Sequence, residues 1–342
     1  MTQAPITSLD LTIRVADIFR GAGVDDVQAD ALARVIVAAE RDACKSHGLY
    51  RIAGCLRTIR AGKVAPQAVP VLADDGSGIL RIDAKGGFSC AGFELGAPVL
   101  AERARALGVA TLVINDCTHF SALWPEVEAL ASMGLAALAM CPSYATVAPT
   151  GGTQALLGTN PIAFGWPRPD QYPYVFDFAT SVAARGEVEL HGRAGTPLPE
   201  GWAIDAEGQP TTDPDRALEG AMLPFGGHKG SAISTMIELL AGAMIGDLTS
   251  PEARDSLGGM WLLPRHGELI LAFSPERFAA GRPGDPFSRA EGLFEAILGQ
   301  GARLPSQRRF AARAVSEAEG IRLSDTEWEE LERLQALGLD AV

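Results

Sequence analysis

The sequence predicts an α/β protein with helices gathered at both chain ends. Three observations predict it. Between Val69 and Cys141, apolar runs of strand length alternate with segments of helical spacing, the pattern that lays helices against a sheet. The first and last stretches of the chain carry helical spacing instead. Hydrophobic residues make up 47% of 342 residues, enough for a large core and two or three domains.

Each element has its own signal. Leu9 to Arg20 is a helix stopped by Gly21 and Gly23. Asp25 and Asp26 cap the next, which runs through Leu32, Val35, Ile36 and Ala39. Gly48 interrupts the chain, and a further helix carries Arg51, Leu56 and Ile59 to Gly62. Val69 to Leu72 and Ile79 to Ile82 read as strands around the turn Asp74-Asp75-Gly76. A helix from Ala91 to Leu107 ends at Gly108, before a buried strand from Val109 to Ile114. Asn115 to His119 is then a loop at a strand end, a favoured place for ligand-binding groups. A helix over Glu126 to Met133 leads to the strand Leu135 to Cys141. Farther on, Tyr174 to Phe178 and Leu269 to Phe273 read as strands, and Thr180 or Ser181 can cap a helix after the first. Gly192 to Asp215 reads as loop. Pro224 to Ser231 precedes an apolar helix through Ile237, Leu240 and Met244, and helices over Ser306 to Ser316 and Asp325 to Leu337 close the chain.

Composition excludes several classes. A net charge of −13 gives no basic footprint for nucleic acid. The five cysteines are scattered and never form C-x-x-C, which suits a reducing cytoplasm and argues against a disulfide framework or zinc ribbon. No signal-peptide pattern or membrane-length apolar run appears, so no membrane partner is expected. The five histidines form no H-x-x-x-H pair, and no metal is expected. No G-x-G-x-x-G follows a strand, and neither a phosphate-loop motif nor G-x-S-x-G occurs.

One stretch carries chemistry. In Glu40 to Gly54, His47 and Arg51 stand four residues apart. Arg51 offers a planar fork for a carboxylate, and His47 moves protons near neutral pH. Such a pair fits a small 2-oxo or 2-imino acid, although spacing alone more often marks a solvated face. Gly48 means that the pair straddles a helix start, and a direct Ser46–His47 bond requires a backbone that is not α-helical there. From residues alone the expectation is an α/β cytoplasmic enzyme that binds a small anion.

A series of motifs in order goes further. Ser46-His47-Gly48 with Arg51, His119-Phe120, Gly158-Thr159-Asn160-Pro161, Phe176 to Ser181, and Pro224 to Gly230 together resemble the type-2 malate/L-lactate dehydrogenase family, the L-sulfolactate dehydrogenase-like oxidoreductases. Within it, His119 to Pro125, and Arg185-Gly186-Glu187-Val188 through Leu198-Pro199, resemble the Δ1-piperideine-2-carboxylate/Δ1-pyrroline-2-carboxylate reductase branch.

The resemblance implies a non-Rossmann nicotinamide domain on a mostly antiparallel sheet, beside a helical domain built from both chain ends, in a homodimer. The implied boundaries are 1–75 with 304–342 for the helical domain, 76–185 with 224–303 for the cofactor domain, and 186–223 for a loop-rich insert. It also implies NADPH, with NADH possible, and a small 2-imino or 2-oxo carboxylate as substrate. His47 would donate the proton, and Arg51 and Thr159 would hold the substrate. Ser46 and an acid would assist His47; Glu187 stands at that place, where the branch usually has Asp, and Lys45 replaces a residue that is His in some relatives. A carboxylate beside His47 would keep it charged. His119, Phe120, Ser121, Ala122, Leu123, Asp177, Phe178, Ala179, His228 and Lys229 would line the cofactor site. Arg303, Arg308 and Arg309 would close over it and meet phosphate.

Plainer readings stand beside these: a strand-end histidine for His119, a helix cap for Asp177, a helix start for His228-Lys229, a turn for Thr159, and a structural thiol for Cys44. The expected activity is NADPH-dependent reduction of cyclic imino acids. A 2-hydroxyacid dehydrogenase of the malate, lactate or ureidoglycolate kind is the alternative, and a non-catalytic anion-binding protein is the alternative from another class.

Overall fold

The computed structural model describes residues 4–342. The chain opens with α1 (Ser8–Gly21), α2 (Asp26–Arg41) and α3 (Tyr50–Arg60), the last two separated by a single 3-10 turn at Lys45–His47. Then come β1 (Val71–Ala73), β2 (Ile79–Asp83), α4 (Ser89–Leu107), β3 (Val109–Thr118), α5 (Trp124–Ser132), β4 (Ala136–Met140), β5 (Ile162–Trp166) and β6 (Tyr174–Phe178). The middle holds α6 (Arg185–Ala194), β7 (Ala203–Ile204), β8 (Pro210–Thr211), α7 (Pro214–Glu219), β9 (Ala221–Met222) and α8 (His228–Glu238). The chain ends through α9 (Ser250–Ser256), β10 (Arg265–Phe273), α10 (Pro275–Ala279), α11 (Pro286–Gly299), α12 (Gln307–Glu319) and α13 (Asp325–Leu337).

Seven strands form one sheet in the order β1-β2-β3-β10-β4-β5-β6, and only β2 and β3 run parallel. A mixed α/β fold on a mostly antiparallel sheet is what the sequence led us to expect. Leu112 and Ile114 of β3 and Ile270 of β10 are buried against α4 and α5. Two glycines let α4 approach closely: a Cβ at Gly96 would lie 2.7 Å from Leu112, and one at Gly92 would lie 3.1 Å from Ile82. Both ends of the chain pack together, with Leu11, Leu32, Ile36, Ile52 and Leu56 against Trp328, Leu331 and Leu334. Asp25 caps α2 as expected, accepting from the Val27 amide at 2.9 Å.

Several boundaries differ from expectation. The pairing with β10 carries β3 through Thr118, so only His119 of the expected loop lies beyond the strand. Gly192 to Asp215 is not plain loop: it takes in the end of α6, the strands β7 and β8 and the start of α7. Thr180 and Ser181 do not cap α6, which begins after Ala184 without a side-chain cap. Thr180 instead donates to the Thr159 carbonyl, holding β6 against the Gly158–Pro161 turn. No helix among the described residues is long and apolar enough to cross a membrane.

Candidate active site

The site is built around the 3-10 turn between α2 and α3. Because that backbone is not α-helical, adjacent side chains meet: Ser46 Oγ lies 3.0 Å from His47 Nδ1, which leaves Nε2 for a ligand. Arg51, in the first turn of α3, donates its Nε to the Ser46 carbonyl at 2.7 Å. Its outer guanidinium nitrogens have no hydrogen-bond partner among the described residues. The turn is clamped from below. Glu40, 3% exposed, accepts from the Leu49 amide at 3.0 Å and pairs with Lys45, which also reaches Glu327 at 3.0 Å. A Cβ on Gly48 would lie 2.1 Å from the Glu40 carboxylate, so only glycine fits there.

The electrostatics correct one expectation. Burial, with the Arg51 charge adding to it, pushes His47 down to about 3, so the imidazole is neutral at pH 7 in the empty pocket. Glu187 is not among the groups that act on His47 in the empty pocket. It is exposed in the first turn of α6, and no hydrogen bond joins it to His47 among the described residues. The acid of α6 whose charge reaches Arg51 is Glu189, two residues farther along the helix. Burial lowers the Arg51 guanidinium, which keeps its proton at any working pH.

The residues expected around a cofactor divide into two groups. Phe120 is a core residue, 4% exposed and edge-on to Phe88 at 6.0 Å. Leu123 is fully buried. Asp177 accepts from the Leu123 and Trp124 amides at 2.8 and 2.9 Å and so caps α5; burial raises it to about 6. Arg309 is not free for phosphate. It is 8% exposed, bonds Asp42 at 2.7 Å, pairs with Glu128 and lies 4.0 Å over the Trp124 ring. His119 and Ser121 are buried, Ala122 and Ala179 are half-buried, and Phe178 is exposed beside Phe176 and Phe225.

His228 and Lys229 open α8, exposed, after Gly226 and Gly227 at φ 56° and 61°. The first amides of that helix carry no side-chain cap, and Lys229 stands beside them. Arg303 and Arg308 are exposed without ion-pair partners among the described residues. Leu304 and Pro305 between them border a cavity of about 270 Å³ lined also by Tyr172 and Tyr174. These uncapped amides and free cations suit a phosphate-bearing cofactor. Thr159 is half-buried, its carbonyl held by Thr180. Its neighbour Asn160 is fully buried and bonded to Ser234, Glu238, Ser143 and Ser250, which fixes the turn.

Sequence reading missed two sets of residues. Tyr144 and Glu189 both act on the Arg51 charge. Arg185 lies 3.6 Å over Trp261, with Arg254 at 3.9 Å from the same ring and Tyr144 at 5.7 Å. Of these only Arg185 and Glu189 stood in a stretch singled out by motif. The second set is Glu126 and Glu268, buried near His119. One ligand atom from each of these three lies within 4.8 Å of the others, a spacing at which a metal ion can be held, although no metal was expected.

Comparisons with known proteins show what the chain is similar to. A sequence model of the malate/L-lactate dehydrogenase family matches residues 6–332. The chain is 72% identical to the Δ1-pyrroline-2-carboxylate reductase of Agrobacterium fabrum over 330 residues, 96% of each chain. It is 54% identical to the Δ1-pyrroline-2-carboxylate/Δ1-piperideine-2-carboxylate reductase of Pseudomonas aeruginosa, over 92% of this chain and 94% of that one. The crystal structure of the Δ1-piperideine-2-carboxylate reductase of Pseudomonas syringae pv. tomato superposes with a TM-score of 0.92 at 40% identity, covering 97% of this chain and all of that one.

Proposed function

The chain belongs to the malate/L-lactate dehydrogenase family of oxidoreductases, and on that premise we propose that it reduces small cyclic imino acids with NADPH. The substrates are Δ1-pyrroline-2-carboxylate, giving proline, and Δ1-piperideine-2-carboxylate, giving pipecolate. The observation that carries this reading is the 72% identity, across 96% of both chains, with a reductase of that name.

The geometry supports it. Arg51 presents free guanidinium nitrogens for the substrate carboxylate, one helical start away from His47. Ser46 holds the His47 ring at Nδ1, which leaves Nε2 as the atom that would protonate the substrate. When a carboxylate sits on Arg51, the repulsion that helps keep His47 neutral is removed and a counter-charge is added. His47 then takes up a proton in the complex, where the acid is needed. Thr159 and Glu187 belong to this proposal as substrate contact and as assistant to Ser46 and His47.

The nicotinamide site in this reading lies outside a Rossmann fold. Lys229 and the first amides of α8, with Arg303 and Arg308, would hold the phosphates, and Ala122 and Ala179 would border the ring. Those cations are the motive for preferring NADPH to NADH. The cofactor supplies hydride to the carbon beside the carboxylate. The protein supplies orientation, charge and the proton.

A substrate panel tests the reading. NADPH absorbance is expected to fall faster with either cyclic imino acid than with pyruvate or oxaloacetate. A clear preference for the oxo acids would replace this reading with a 2-hydroxyacid dehydrogenase. Binding of a carboxylate without any nicotinamide oxidation would leave only anion binding. The clamp has its own test: Arg51→Lys should raise KM roughly ten- to hundredfold, because an ammonium loses one charge-assisted bond of roughly 1.5–3 kcal/mol. Unchanged KM in a folded variant would place the carboxylate elsewhere.

A further inference from the structure

Glu268 of β10 and Glu126 of α5 break the apolar pattern of the layer they sit in. Glu268 stands opposite Ile114 of β3 and two residues before Ile270, on the face that packs against α4 and α5. It is 0% exposed, and Glu126 is 1% exposed. The register of β10 against β3 shifts between His266 and Glu268, a bulge of the kind that re-aims a side chain. Asp177 caps α5 and so fixes where Glu126 stands. His119 follows the last residue of β3. Its amide donates to the Pro264 carbonyl at 3.2 Å, and its ring lies 5.7 Å from that of His266.

Separate elements thus bring three metal-ligating side chains to one point. One donor atom from each lies within 4.8 Å of the other two, and His119 Nε2 lies 3.8 Å from Glu268 Oε2. A second observation is independent of that spacing. His119 Nε2, Glu126 Oε2 and both Glu268 oxygens are buried with no hydrogen-bond partner among the described residues. Buried polar atoms in a folded chain are nearly always paired, so four orphaned atoms on three converging side chains call for a ligand. The chain supplies no counter-charge: no lysine or arginine bonds to or pairs with either acid among the described residues. No cysteine enters the set, and Cys117 gives its thiol hydrogen to the His266 carbonyl at 3.0 Å.

We propose that His119, Glu126 and Glu268 bind one divalent transition-metal ion, for which zinc is the best match, as a structural centre tying α5, β10 and the end of β3 together. Two carboxylates cancel the two positive charges, and imidazole binds as a neutral ligand. The loaded centre therefore carries no net charge into an apolar interior. The four orphaned donor atoms meet the four-coordinate habit of a closed zinc site. The imidazole nitrogen disfavours calcium and magnesium, which take oxygen ligands, and the lack of thiolate disfavours copper(I) and iron–sulfur clusters. This inference goes beyond the reductase reading and does not depend on it: no step of the reaction passes through the centre.

The test uses the full chain without a histidine tag. After incubation with zinc and removal of loose metal by gel filtration, elemental analysis of the parent should give about one ion per chain. Glu268→Gln and Glu126→Gln keep the shape and remove one anionic ligand each. Each should weaken zinc binding by more than the roughly 10–100-fold that losing an outer partner of a metal ligand costs. A tight chelator should lower the melting temperature of the parent and zinc should restore it, because an ion bound to the folded chain stabilises that chain. In either variant, chelator and zinc should leave the melting temperature unmoved. Cobalt in place of zinc should give the visible bands of a nitrogen–oxygen site with no thiolate charge-transfer band. If neither variant folds, the metal content, melting and cobalt spectrum of the parent decide. A parent that takes up no stoichiometric zinc, manganese or cobalt would overturn the site. So would variants that keep parental affinity, or a thiolate band, which would put the ion on cysteine. An infrared band of un-ionised carboxylic acid in the zinc-treated parent, weakened in Glu268→Gln, would also overturn it, since the acids would then hold protons in place of the ion. None of these readouts needs turnover, so failure of the substrate panel would sink the reductase reading alone.

Discussion

His47→Ala is expected to lower kcat by about 10²–10⁴, the range for losing a positioned general acid. The argument begins with the 3-10 turn. Ser46 occupies Nδ1, so the ring can act only through Nε2. In the empty pocket burial and Arg51 hold His47 at about 3, and a free enzyme at pH 7 therefore carries no imidazolium to give. In the proposed complex the substrate carboxylate neutralises Arg51, the smaller of these two causes, and adds a counter-charge against the burial. The sign follows: the acid exists only in the complex, and its folded-state proton is lost as pH rises through the pKa it acquires there. The measurement is kcat against pH for the parent and the variant, with NADPH binding checked separately. Near-parental kcat in His47→Ala would mean that the proton comes from another group. Glu187→Gln belongs in the same series. A moved profile would bring Glu187 into the complex, and an unmoved one would leave it as the exposed surface acid seen at the start of α6.

Much of the site was legible because local rules act within a few residues. Gly48 announced that His47 and Arg51 straddle a helix start, and the structure places the break there. Asp25 announced its cap. What could not be read depends on long-range phase. Arg308 and Arg309 are adjacent and look alike, yet α12 turns the first to solvent and the second onto Asp42, Glu128 and Trp124. Phe120 follows the motif histidine but packs into the core of the helical chain ends. Glu126 and Glu268 are 142 residues apart in sequence, and only the pairing of β3 with β10 brings the second beneath His119. Glu187 against Glu189 is the same problem in miniature: two residues round one helix turn decide which acid meets the pocket.

Asp42→Asn is expected to destabilise the fold by about 3–5 kcal/mol, the usual cost of breaking a buried pair from one side. Asp42 ends α2, five residues before His47, with its side chain fully buried. It accepts from Arg309 at 2.7 Å, from Arg313 at 2.9 Å and from Arg41 at 2.8 Å. Glu128 of α5 is the other anion, 2.6 Å from Arg313 and also paired with Arg309. The network thus ties α2, α5 and α12 together beneath the catalytic turn. Asparagine keeps the shape but leaves two buried guanidinium groups to share one carboxylate. Burial works to raise the Asp42 carboxyl, and the Arg313 and Arg41 hydrogen bonds outweigh it, so the folded pKa is depressed. A depressed carboxylate contributes stability above its unfolded pKa of about 3.9 and loses it as pH falls through the folded value. The parent should therefore exceed Asp42→Asn by the full margin at pH 7, and the gap should close as the medium turns strongly acid. Urea unfolding at a series of pH values measures both. A loss below about 1 kcal/mol at pH 7 would mean that Glu128 alone satisfies the arginines, since that is the scale of an exposed pair. A gap that widened in acid would contradict the sign, because protonating Asp42 removes the same charge that the substitution removes.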